Sequence, residues 1–131
     1  MKIPLKTFAL LLPYKKHTSI KNELLALINQ ADFETVKKQD QYFSDYITKC
    51  DWYKRNEERR SWVQFFIQDF QKQLDKNALY FCYNHFIIND LWFQQYEKNS
   101  RHGWHVHGSA YTGVYYLELN KSDPLTEIID P

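Results

Sequence analysis

Apolar residues recur at helical spacing in two stretches of the chain. Ile20, Leu24, Leu27 and Ile28 share one face, and Thr18 and Ser19 can cap the start, so the pattern predicts a helix running to about Gln30. The second stretch is clearer. Trp62, Phe66 and Phe70 recur every four residues, and Val63, Ile67 and Leu74 widen the stripe. With Glu57 and Glu58 in its first turn and Lys72 near its end, it predicts a helix over 57–75 whose apolar face docks on a sheet. Residues 3–12 read as an extended apolar segment punctuated by Pro4 and Pro13. Residues 31–55 are polar with scattered aromatics and no clean period, which predicts loop with one or two helical turns. After Asn77 the period changes. Leu79–Tyr83, Phe86–Tyr96 and residues 111–119 are rich in aromatic and aliphatic residues and predict strands, with a short last one from Thr126 to Ile129. Helices first and strands afterwards predict an α+β fold in one domain over 1–131, with a mainly helical preamble (1–76) and a β core (77–131).

Charge and composition narrow the classes. Seventeen Lys and Arg against sixteen Asp and Glu leave a net charge of +1, which argues against a nucleic-acid binder relying on phosphate neutralisation. No apolar run approaches the roughly 20 residues that a membrane helix needs. The apolar stretch Phe8–Leu12 is too short for a secretion signal, is followed at once by Pro13, Lys15 and Lys16, and carries no small-residue cleavage pattern. Cys50 and Cys82 match no metal or redox spacing and suit a reducing compartment, so a cytoplasmic protein is expected.

Candidate chemistry concentrates between Arg101 and Gly113. All three glycines (Gly103, Gly108, Gly113) and three of the five histidines (His102, His105, His107) fall there. On a strand, His105 and His107 point to the same face and can chelate one metal ion. His102, across an expected turn at Gly103, faces elsewhere or supports the site. Gly108 permits a tight exit from the strand or close approach of a ligand. A His-x-His pair is also a common hydrogen-bonded surface or core feature, so spacing alone leaves both readings open.

Three blocks carry a resemblance: Trp92-Phe93-Gln94-Gln95-Tyr96-Glu97-Lys98, His102-Gly103-Trp104-His105-Val106-His107-Gly108, and Gly113-Val114-Tyr115-Tyr116-Leu117-Glu118-Leu119. In that order they resemble the front half of the Fe(II)/2-oxoglutarate-dependent oxygenases of bacteria and phages, over about residues 90–131. The resemblance implies a double-stranded β-helix (jelly roll) with Fe(II) as metal and 2-oxoglutarate as co-substrate, in the host cytoplasm where the gene is phage-borne. Such iron sites usually take two His and one carboxylate. By position, His105 is the first metal ligand, and His107 stands where the carboxylate would be, leaving the site one charge more positive. Gln94, Tyr96 and Tyr116 become candidates for hydrogen bonds to the co-substrate's carboxylates, although large aromatics on strands more often pack in a core.

The resemblance also implies a later His and a later basic residue. No His follows His107, no Arg follows Arg101, and the only later cation is Lys121. The chain therefore reads as the N-terminal portion of such an enzyme, cut short after the first strands of its roll. The alternative is a non-catalytic jelly-roll binding or virion/host-interaction module. A cupin, which also uses His-x-His, expects an acid soon after the pair, and the first here is Glu118. No substrate is identified by these motifs. Open strand edges carrying Val114, Tyr115, Tyr116 and Leu117 would favour self-association.

Overall fold

The structure, a computed structural model, describes residues 2–4, 8–39, 44–107, 111–123 and 126–128. It is a mixed α+β arrangement. A short antiparallel pair, β1 (Lys2–Pro4) and β2 (Phe8–Leu10), precedes helix α1 (His17–Gln30). An antiparallel sheet follows in the order β3 (Glu34–Gln39), β4 (Ser44–Cys50), β5 (Gln94–Gln95), and helix α2 (Ser61–Ala78) lies between β4 and β5 in the chain.

The core forms where the two predicted stripes meet. Leu24 of α1 packs with Trp62, Val63 and Phe66 of α2 and with Phe93, and Ile20, Leu27, Ile28 and Phe70 lie around them. The expected start of α1 differs in one respect: neither Thr18 nor Ser19 caps it, because Lys16 occupies the cap position and Ser19 donates its hydroxyl back to the Lys16 carbonyl. Helix α2 starts four residues later than its acidic pair suggests, so Glu57 and Glu58 precede it. It also runs further. Residues Leu79–Phe81 continue as a 3-10 turn, and Cys82 adopts the left-handed conformation at φ 63°. The Tyr83 N–H then reaches back to the Ala78 carbonyl and the Cys82 N–H to the Leu79 carbonyl, satisfying the helix end. This closure takes the place of the strand expected over 79–83.

Residues 34–39 and 44–50, read from sequence as loop, pair instead as the antiparallel strands β3 and β4. Two features hide this pairing from the sequence pattern. β3 has almost no buried face, and a bulge between Glu34 and Val36 breaks the alternation of β4, so that Ile47 and Cys50 are the buried pair. A single 3-10 turn at Trp52–Lys54 is the helical part of that stretch.

The Phe86–Tyr96 strand shrinks to Gln94–Gln95 because side chains take the place of a ladder. The Phe86 N–H donates to Asp75 Oδ1 and the Phe86 carbonyl accepts from Gln71 Nε2. The Leu91 N–H donates to the Arg55 carbonyl, the Leu91 carbonyl accepts from Arg60, and the Phe93 N–H donates to Asp51. Residues 111–119 likewise form no strand among the described residues, but they still show two faces. Tyr115 and Leu117 pack on the helical core, while Val114 and Tyr116 are exposed. Tyr115 stacks on Phe66, with ring centroids 5.2 Å apart, and its hydroxyl lies 2.7 Å from His17 Nδ1. Of the expected last strand, Ile129 lies outside the described residues, and 126–128 carry no strand.

One buried ion pair joins these parts. Asp51 is fully buried at the end of β4 and accepts three hydrogen bonds: from Arg60 Nη1 at 2.5 Å, Trp62 Nε1 at 3.0 Å and the Phe93 N–H at 2.8 Å. Arg60 also donates to the carbonyls of Glu57, Arg55 and Leu91. Every charged and polar atom of the pair thereby has a partner, which is the condition under which a buried pair is tolerated.

Two tests follow from this packing. Asp51→Ala leaves Arg60 without its counter-charge and should cost about 3–5 kcal/mol in urea denaturation, whereas Asp32→Ala, which breaks the exposed pair with Lys54, should barely move the midpoint. Burial first, and the nearby Tyr14 second, push the Tyr115 phenol up to about 12. Between its ordinary value of 10.0 and that point the unfolded chain has lost the proton and the folded one has kept it, so stability should fall as pH rises through this window. Thermal melts from pH 9 upward should show the fall, and a Tyr115→Phe variant should show less of it.

Candidate metal centre

The His-rich segment reaches its place through β4. Tyr46 and Arg101 exchange both backbone hydrogen bonds at 2.8 Å, and the Gly103 N–H donates to Asp45 Oδ1 at 2.8 Å. The Arg101 guanidinium donates to Ser44 Oγ. Just upstream, Thr48 and Ser100 join their hydroxyls at 2.8 Å, and Ser100 Oγ accepts the Glu97 N–H. Asn99 makes this turn with φ 71°, a conformation Asn tolerates better than most residues.

Residues 102–107 then run without regular secondary structure, and yet the imidazoles gather. The Nε2 atoms of His105 and His107 lie 3.1 Å apart. His105 Nδ1 lies 2.9 Å from the Gly103 carbonyl. A carbonyl only accepts, so this contact places the His105 proton on Nδ1 and leaves Nε2 with its lone pair facing His107. Metal-binding histidines are commonly oriented in this way. Two nitrogens bound to one metal at about 2.0–2.1 Å each are about 3.0–3.4 Å apart, which the observed separation meets. Without a metal, the His107 Nε2–H tautomer donates to the same lone pair. Between the pair, Val106 is 93% exposed, so it stands away from the site.

His102 stacks on His105, with centroids 4.1 Å apart and planes 20° from parallel. Burial, then the charge of His105, lower the pKa of His102, and Asp45 opposes the shift. Gly103 does not supply the expected turn by a left-handed backbone. A Cβ there would meet Asp45 Oδ1 at 3.5 Å and the Ser44 backbone at 3.6 Å, which is ordinary contact. Gly108 lies outside the described residues. Among the described residues no three His, Cys, Asp or Glu side chains converge on one point.

The candidate co-substrate residues form a second group beside the sheet. Tyr96 Oη donates to Gln94 Oε1 at 2.8 Å, as two residues on one strand face can. Gln94 pairs with the buried Cys50 across β4 and β5. Burial, reinforced by Cys50, Asp45 and Tyr116, pushes the Tyr96 phenol up to about 12, so it remains a hydrogen-bond donor at neutral pH. Tyr116 donates to Thr126 Oγ1. Asp45 is the residue that sequence reasoning missed: it holds the Gly103 N–H and its charge acts on both His102 and Tyr96. It belongs to no motif, and only the strand pairing brings it there. The two remaining histidines stand apart, His17 on Tyr115 and His85 exposed in the loop after α2. Compared with protein-family models, curated proteins and solved structures, the chain matches none.

Proposed function

We propose that the chain is the metal-binding portion of a non-haem Fe(II)/2-oxoglutarate-dependent oxygenase, built on the first strands of a double-stranded β-helix. The observation that carries this reading is the 3.1 Å approach of the His105 and His107 Nε2 atoms, with His105 oriented by the Gly103 carbonyl. These two imidazoles suit two positions of a divalent first-row ion, the usual carboxylate being replaced by His107. Bound Fe(II) supplies the redox chemistry that couples 2-oxoglutarate decarboxylation to hydroxylation of a substrate. The chain's own contribution is to orient and to donate. Tyr96, which keeps its proton up to about pH 12 and now donates it to Gln94 Oε1, would turn it to a carboxylate beside the Gln94 amide, and Tyr116 lies near enough to raise the Tyr96 pKa.

One observation favours a second reading, a non-catalytic binding module. Tyr83 and Tyr111 are about half exposed within a cluster with Phe81 and Phe86, and Leu79, Tyr80 and Ile87 nearby are more exposed still.

Anaerobic addition of Fe(II) and then 2-oxoglutarate should produce a weak visible charge-transfer band that His105→Ala and His107→Ala both abolish. Metal content unchanged by either substitution would favour the binding module. Tyr96→Phe should retain the metal and raise the 2-oxoglutarate concentration at half-saturation about tenfold, the effect of one hydrogen bond to a charged group.

A further inference from the structure

We infer that His102 is a positioning residue for this centre: its ring, face to face with that of His105, holds the His105 Nε2 toward His107. The inference rests on the chelation proposed for His105 and His107. It supplies what an exposed, ladder-free segment otherwise lacks, a restraint on the imidazole. One edge of the His105 ring is fixed by Nδ1 on the Gly103 carbonyl, and one face is covered by His102. His102 is itself clamped through its neighbours. Arg101 exchanges backbone hydrogen bonds with Tyr46 on one side, and on the other the Gly103 N–H is held by Asp45. The position of β4 is thus passed through His102 to His105.

The stacked geometry argues against His102 as a third ligand. An imidazole's lone pair lies in its ring plane. With planes 20° from parallel and centroids 4.1 Å apart, the lone pairs of His102 and His105 run alongside one another rather than converging on one ion. Outer-shell groups that orient a ligating imidazole by hydrogen bonds typically alter metal affinity by about 10–100-fold, and the stacked ring is expected to act at the lower end of that range.

Co(II) binding to the whole chain, measured by calorimetry at neutral pH with circular dichroism to confirm folding, tests the assignment. His102→Ala should weaken Co(II) by about tenfold or more. His102→Phe stacks but has no nitrogen, and it should restore the affinity to within about threefold of the unsubstituted protein. Affinity unchanged in His102→Ala, or His102→Phe as weak as His102→Ala, would overturn the positioning role, the second result marking His102 as a ligand. His105→Ala separates this from the underlying reading. If it abolishes Co(II) binding, chelation stands whatever His102 does; if it leaves binding unchanged, chelation and positioning fail together.

Discussion

A single buried carboxylate holds the molecule's parts in register. Asp51 follows β4, Arg60 occupies the cap position of α2 and Trp62 lies in its first turn, Phe93 leads into β5, and the four meet in one set of hydrogen bonds away from water. Desolvating the pair is unfavourable by itself, and only the completeness of the bonding offsets it. The consequence reaches the candidate site. Because Phe93 is fastened to Asp51, the next two residues fall beside Lys49 and Cys50, and the chain continues antiparallel to β4 as far as the Tyr46–Arg101 bridge. The histidines begin at the next residue. Their position relative to β4 therefore depends on the Asp51–Arg60 pair through the Gln94–Gln95 pairing, the Thr48–Ser100 hydroxyl contact and the Tyr46–Arg101 bridge.

Elsewhere side chains do work that a ladder would do in a larger sheet. Gln71 and Asp75 of α2 bind both backbone groups of Phe86, and the Arg60 guanidinium, helped by the Arg55 backbone carbonyl, binds those of Leu91. Aromatic contacts fill the space between these fastenings. Tyr14, Phe66, Phe70 and Tyr115 meet with centroids 4.4–6.1 Å apart, joining the segment before α1, helix α2 and the 111–117 segment. Rigid rings with few rotamers suit this role, since they cover wide areas while losing little side-chain entropy. The aromatic residues, 18% of the chain, thus join irregular segments as well as pack helices.

The candidate centre combines an exposed position with local restraint. Its imidazoles lie at the surface, His102 partly desolvated by its neighbours, and yet His105 is held at one edge and one face. Asp45 sits between this group and the Gln94–Tyr96 pair, and its charge acts on both. The paired imidazoles and a set of neutral donors are in this way organised from one strand.

The sequence by itself determined the two helices, the face each buries, and the concentration of imidazoles near residue 105, because helical period and local composition are properties of neighbouring residues. It could not show the β3–β4 pair, whose outer strand buries almost nothing and whose inner strand is broken by a bulge. Nor could it show that Phe86–Leu91 forgo a ladder, since the groups that satisfy their backbone come from Asp75, Gln71, Arg55 and Arg60, 11 to 36 residues away in the chain. Tertiary structure alone decided the stacking of His102 on His105 and the arrival of Asp45 beneath Gly103. Each joins residues through the pairing of β4 with the segment after β5, and no local pattern encodes that pairing.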